Sequence, residues 1–422
     1  MRHENVNPDT RSIIRRYYAV SYFYSFGPSF IFAVYPLFLH SRGLNQLQVN
    51  TVAAVFFFVW LLTDVPTGAF ADAVGRRAAA VLGCAFHVGG FALYYFSYRY
   101  WHFIAAEILD AIGLTLANGP IDAWLVDGLD AVGFTASKEY IFSRQLQMMR
   151  LAGMGGALAG AYLARADLAL PFLFSAGAWA IAGLVASLLM HDAHLGRPPR
   201  EHHIVHEIRE RTVDSLRVGF GNRTVLLMSL AMLAGSAAWT PWWQEWQRYF
   251  TEGFGTGIVM IGWLFIGFSV AQLIGAELVN RVPWAWRRRA EWMIAGAIVT
   301  GIASITVAFV SGPSWIPAAL FMVANAALGG TGPVLSAWYN EQIGGENRAT
   351  LLSFQSTFAT FGGAVGLPLQ GALTDRFGAS AAWLTMGACA LLQAPCFATW
   401  TRGSQPLGGA HSAASRMETA HP

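Results

Sequence analysis

The sequence predicts an all-α polytopic membrane protein with twelve transmembrane helices in two pseudo-symmetric six-helix bundles. Three observations carry that expectation. Of 422 residues, 55% are hydrophobic and only 12% are charged, about half the charged share of a soluble domain. The apolar residues fall into runs of about 20, the length a helix needs to cross a bilayer. The second half of the chain repeats short patterns of the first at nearly constant offset.

The elements follow in order. Residues 1–16 are polar and form a cytoplasmic N-terminus; they hold no apolar run, so no cleaved signal peptide is expected. Six spans follow at 17–40, 48–71, 77–98, 101–126, 142–164 and 168–190, making an N-terminal bundle over 17–190. The fourth and fifth are polar enough to face a bundle interior. Residues 191–222 form a cytoplasmic central loop, in which Ile204, Val205, Ile208, Val213, Leu216 and Val218 suggest a short surface helix. A C-terminal bundle over 223–400 has spans at 223–246, 257–280, 288–311, 315–339, 350–373 and 379–400, and residues 401–422 are a small, polar cytoplasmic tail expected to be disordered. The seventh span ends in WTPWWQEWQRYF (239–250), an aromatic cluster suited to a membrane–water interface.

Orientation follows from basic residues. With the N-terminus inside, the inner segments hold 21 Lys and Arg and the outer loops 5, with Arg150 left inside a span. Both termini are therefore expected in the cytoplasm, in a multi-pass protein of the cytoplasmic (inner) membrane. The net charge of +3 sits in short clusters, so a nucleic-acid partner is not expected. Cys84, Cys389 and Cys396 lie in apolar runs without paired spacing and suggest neither a disulfide frame nor a metal site. No phosphate-binding G-x-x-x-x-G-K-[ST] and no nucleophile–base pair at recognised spacing occurs. The expectation is a non-enzyme without a cofactor, working as a monomer.

The internal repeat is legible in two helix pairs. The fourth span ends in GPIDAWLVD (119–127) and the tenth in GPVLSAWYNE (332–341). In the fifth and eleventh, Gln145, Gly153 and Gly156 match Gln355, Gly363 and Gly366 at one offset.

The densest chemistry lies in GAFADAVGRR (68–77), between the second and third spans, with Gly68, Asp72, Gly75, Arg76 and Arg77. The pattern G-x-x-x-D-x-x-G-R-[RK] resembles the corresponding loop of the major facilitator superfamily, and DVPTG (64–68) resembles the lead-in seen in many bacterial members. The resemblance covers roughly residues 12–402. It implies that fold, secondary transport by alternating access, and a charge network in which Asp72 and Arg76 join Asp127. An arginine's planar fork can be satisfied by two carboxylates; Gly68 would let helices approach closely and Gly75 would permit a sharp turn. The network is expected to latch the halves together on the cytoplasmic face. Its second-half counterpart, GAELVNRVPWAWRRR (275–289), keeps the glycine and a basic cluster but has lost the aspartate.

Ionisable groups within a span are functional candidates. Asp110, Glu107, Asp64, His87 and Arg150 are the proton-coupling candidates. Asp110 and Glu107 share a face, and an Asp110–Arg150 pair is expected to line the cavity, with His87 as relay. Tyr24, Phe30, Arg150, Gln272, Asn325 and Gln355 are the substrate-cavity candidates, aromatic walls suiting an amphipathic or aromatic organic solute. The chain departs from the drug–proton antiporter subgroup, which the resemblance would equip with an arginine where AEILDAIG (106–113) has Leu109 and a proline that GMGGALAG (153–160) lacks. The leading expectation is proton-coupled export of a small organic solute, with protons and the lipid bilayer as the other partners. An importer or uniporter of a nutrient or metabolite is the first rival, and a non-transporting membrane receptor or accessory protein the second. The substrate, the direction of transport and the coupling acid are not readable from sequence.

Overall fold

A computed structural model of the chain describes residues 8–192, 220–221, 223–342 and 348–403. The surface helix and most of the loop expected at 191–222, and the tail beyond residue 403, lie outside these. Fourteen α-helices carry the described chain, which contains no strand. They are α1 (Pro8–Phe26), α2 (Tyr35–Ser41), α3 (Gln46–Val74), α4 (Arg76–Phe96), α5 (Tyr100–Ala131), α6 (Glu139–Leu163), α7 (Leu170–Leu189), α8 (Arg223–Phe254), α9 (Ile258–Asn280), α10 (Pro283–Arg287), α11 (Arg289–Val307), α12 (Trp315–Gln342), α13 (Arg348–Phe377) and α14 (Ala379–Gly403). Among the described residues nine helices are long and apolar enough to cross a membrane, or ten when α1 and α2 count as one broken span. α6 and α13, 25 and 30 residues long, are more polar and complete the twelve.

The first span departs from a single helix over 17–40. It starts earlier, at Pro8, and breaks at Gly27-Pro28, where a 3₁₀ turn, Ser29–Ile31, separates α1 from α2. Proline cannot supply the N–H that a continuous helix needs. The turn is seated by glycine: Ser29 and the Phe30 carbonyl occupy the places where Gly156 and Gly160 of α6 would carry a Cβ.

The two halves repeat one packing scheme. α3 packs on α5, α4 on α5 and α7, and α1 on α6 and α7; α9 packs on α12, α11 on α12 and α14, and α8 on α13 and α14 in the same relation. Hydrophobicity cannot drive helices together in lipid, so close contact of small residues does. Gly83 of α4 faces Gly113 of α5, where a Cβ would meet the carbonyl oxygen at 2.7 Å. Gly275 and Gly329 hold α9 against α12 in the same way, facing Ala326 and Gln272. The repeated Gly-Pro pairs place Pro120 and Pro333 inside α5 and α12.

The halves meet through α3 against α13 and α6 against α9. The hydrogen bonds that cross between them, among the described residues, gather at one end. There Gln46 and Leu47 at the start of α3 donate backbone N–H groups to Asp375 near the end of α13, both at 3.0 Å. Asn50 Nδ2 reaches the Leu367 carbonyl at 2.9 Å. Ala53, Ala54 and Leu367 close the layer beneath. At the same end Ala157 and Ala161 of α6 pack with Ile261 and Phe265 of α9.

The aromatic cluster 239–250 is not an interface belt. Trp242 and Trp246 are 2% and 0% exposed, packed with Phe250, Phe268 and Phe321 in the core of the second half beside this seal. Spacing by three and four residues puts these rings on one inward face of α8, which the sequence run does not reveal.

Candidate functional site

Three groups of polar residues stand out, at the end opposite the seal, at mid-span and at the seal.

At the end opposite the seal, Gly75 separates α3 from α4 with φ +104°, a conformation that a Cβ disfavours. The corner turns Arg76 back between two carboxylates. Its Nη1 lies 2.6 Å from Asp72 Oδ1 and its Nε 3.5 Å from Asp127 Oδ2 on α5. Arg77 projects outward, while its backbone N–H donates to Asp192 at 3.2 Å. Among the described residues the network is thus confined to the first half. Gly68 has open space where a Cβ would stand, so the close helix approach expected there is absent.

At mid-span, Glu107 and Asp110 lie one turn apart on α5. The Tyr35 hydroxyl, on α2 just past the break, donates to Glu107, and Tyr94 Oη lies 3.1 Å from Tyr35 Oη. Tyr35 gives its single proton to the carboxylate, so Tyr94 donates to Tyr35. Asp110 Oδ1 lies 2.5 Å from His87 Nδ1, and the imidazole stacks on Trp179 at 3.8 Å between centroids. Tyr24 meets the same indole edge-on, 4.7 Å away. Tyr24 Oη and His87 Nε2 are buried without a hydrogen-bond partner among the described residues.

The expected Asp110–Arg150 pair is not formed. Asp110 belongs to His87, and Arg150 has no ion-pair partner among the described residues. The reason is the packing: α6 lies against α1 and α9 rather than α5, and Arg150 shares the α6 face of Ala157 and Ala161 that looks across to the second half. Asp64 stands exposed on α3, beyond the stretch covered by α13. Phe30 points away from the middle, its ring 6.2 Å from Phe174 on the exposed side of α7. Gln272 and Asn325 satisfy each other, Nε2 to Oδ1 at 2.9 Å, within the α9–α12 contact. Gln355 is half-buried on α13.

Sequence reasoning passed over four groups. Asp122, inside the GPIDAW repeat, accepts from the Tyr17 hydroxyl at 2.7 Å. Tyr35 and Tyr94 were lost among many aromatics. Glu245 was hidden in the tryptophan run. The Gln46–Asp375 seal joins residues 329 apart, and only its counterpart at the other end carries a local motif.

Comparison with known proteins places this geometry. The model of the Major Facilitator Superfamily matches residues 246–418. An uncharacterised MFS-type transporter of Bacillus subtilis, YxaM, is 22% identical over 368 residues, which cover 85% of this chain and 88% of that protein. Over most of its length the chain is thus similar to a transporter of the major facilitator type, and its second half matches that family's model. The riboflavin transporter MCH5 of Saccharomyces cerevisiae is 29% identical over 125 residues, 29% of this chain and 22% of that one. Among solved structures, the nucleoside transporter NupG superposes with a TM-score of 0.74 at 12% identity, covering 94% of this chain and 100% of that chain. A POT family transporter in complex with a thioalcohol-conjugated peptide gives 0.67 at 14% identity, over 92% and 96%. These likenesses show the twelve-helix fold. The comparisons and the many apolar helices support a multi-pass membrane protein similar to transporters of this kind.

Proposed function

We propose that this transporter exports a small organic solute by alternating access, coupled to protons through Glu107 and Asp110, and that it acts as a monomer in the cytoplasmic membrane. The observation that carries the coupling is Glu107: a carboxyl buried at mid-span with no ion-pair partner among the described residues, held by a tyrosine on the segment just past a helix break. Acids buried within a span are expensive to keep unless they work. As a carboxylate, Glu107 accepts the Tyr35 proton and ties α2 to α5. Once protonated it has less need of that donor, and the tie slackens. Asp110, one turn away and 2.5 Å from His87 Nδ1, is the second acid of the same cluster.

The basic-residue count supports a cytoplasmic Gly75 corner and cytoplasmic termini. In that orientation the seal is external and the conformation faces inward. Solute then enters the space between α3, α6, α9 and α13 from the cytoplasm, past Asp64, Asp122 and Arg150. Asp72, Arg76 and Asp127, now clustered within one half, are poised to hold the cytoplasmic end when the external seal parts.

The test uses purified protein in liposomes with an imposed pH gradient and an internal pH dye. A panel of small organic solutes, nucleosides and short peptides included, is added. The expected result is a solute that collapses the gradient with the wild type and not with Glu107→Gln. Equal gradient-driven flux in both would refute coupling through Glu107.

A further inference from the structure

Glu245 has no part in the steps above. It lies on α8 beside the seal, 2% exposed. Its Oε1 accepts one hydrogen bond, from Thr374 Oγ1 on α13 at 3.1 Å. Among the described residues no ion pair reaches it. Arg248, one turn along, is turned to Glu252 at 2.7 Å and to Gln46 Oε1 at 3.5 Å.

The residues flanking Glu245 on α8, Gln244, Gln247 and Arg248, reach across the joint between the halves. Thr374 precedes Asp375, which holds the start of α3. The carbonyl of Gln244 accepts from Gln46 Nε2 at 3.4 Å, and Gln247 Nε2 reaches the Phe32 carbonyl of the first half at 3.3 Å. The charged and titratable groups facing this joint are Arg248 and Glu252 on α8, Asp375 on α13, and His40 on α2, whose Nε2 lies 2.7 Å from Gln46 Oε1. α3 contributes only the neutral Gln46 and Asn50, and the first two turns of α14 hold no titratable side chain.

We propose that Glu245 is a second proton-binding site, built into the seal, that exchanges its proton with water only when the seal opens. A buried charge without a counter-ion is costly, whereas a neutral acid with a hydroxyl partner is tolerated. The closed seal therefore favours the protonated form. Parting α3 from α13 lets water reach the carboxyl, which can then release its proton to that side as an intact carboxylate. The proton goes to solvent and no other bond changes. The site thus makes closure of this end depend on proton concentration there. The inference rests on the alternating-access reading and not on Glu107, and its test requires no transport.

The full chain, with Cys84, Cys389 and Cys396 replaced by alanine, is placed in lipid nanodiscs with spin labels at Ser41 and Ala379, exposed positions flanking the seal. Pulsed spin-resonance distances are recorded from acid to alkaline pH. The short distance is expected to dominate in acid, with the long one gaining up to about tenfold per pH unit above the midpoint, the limit for one linked proton. Glu245→Gln should hold the short distance throughout. A pH-independent wild type would overturn the proposal. So would opening on acidification, which would assign the switch to Asp375 or His40, and so would an unaltered titration in Glu245→Gln. If that variant fails to fold, Thr374→Val removes the carboxylate's hydroxyl donor and must move the midpoint; an unmoved midpoint overturns the proposal equally.

Discussion

Asp375→Ala should release the seal without unfolding either half. A helix start leaves four N–H groups without intrahelical partners. At α3, a capping box takes two of them: Asn45 N donates to Gln48 Oε1 at 3.1 Å and Gln48 N to Asn45 Oδ1 at 2.9 Å. The remaining two, Gln46 N and Leu47 N, go to Asp375 of the opposite half. This contact exists only while the ends are together. A side-chain cap contributes about 0.5–2 kcal/mol, and a carboxylate adds about 0.3–1 kcal/mol through the helix dipole. Asp375 is exposed and the freed donors can rehydrate, so the net loss should be about 1–2 kcal/mol. That is a factor of roughly 5–30 in the ratio of sealed to open conformers. The Ser41–Ala379 label pair reads this ratio directly. Asp375→Asn, which keeps an acceptor, should fall between wild type and alanine. A sealed fraction in Asp375→Ala unchanged within about twofold would show that the apolar layer, not the cap, closes this end.

Other expectations follow from the same contacts. A Cβ on Gly371 would stand 2.6 Å from Leu47 Cα and 2.8 Å from the Gln46 carbonyl, so Gly371→Val should disfavour the sealed state more than Asp375→Ala, read by the same labels. Gly83→Leu would drive a side chain into the Gly113 backbone; overpacking of this kind costs about 1–3 kcal/mol, and thermal unfolding of the purified protein should occur at a visibly lower temperature. Arg76→Ala should leave folding intact and slow solute flux in liposomes, and normal flux would remove the latch from the cycle. Glu107→Gln should abolish the acceleration of flux by a pH gradient while sparing exchange between equal pools; a retained gradient response would place coupling elsewhere.

What could be read from the sequence was what is local along the chain. Span lengths and the paired Gly-Pro sites, Pro120 and Pro333, are set by consecutive residues, and both prolines lie within the helices expected of them. The Gly75 corner announced itself because its glycine, arginine and aspartate are neighbours. Partnerships between helices were not legible, since each depends on how a helix is rotated about its axis. Arg150 was assigned to Asp110 by depth alone, whereas rotation turns it toward the second half and gives Asp110 to His87. Trp242 and Trp246 looked like interface residues because their run is aromatic, yet they fill the core under the seal. Glu245 and Asp375 were missed because what makes them notable, burial in one case and a partner 329 residues away in the other, appears only when the halves are assembled.

Alternating access is the core of the account, and two label pairs in one protein test it most directly. Ser41 with Ala379 reports the sealed end, and Ala131 with Asn280, both exposed at the opposite ends of α5 and α9, reports the other. Measured in nanodiscs across pH and in the Asp375→Ala background, the two distances should change reciprocally, one lengthening as the other shortens. A single fixed distance at each end under all of these conditions, or both ends opening together, would contradict it.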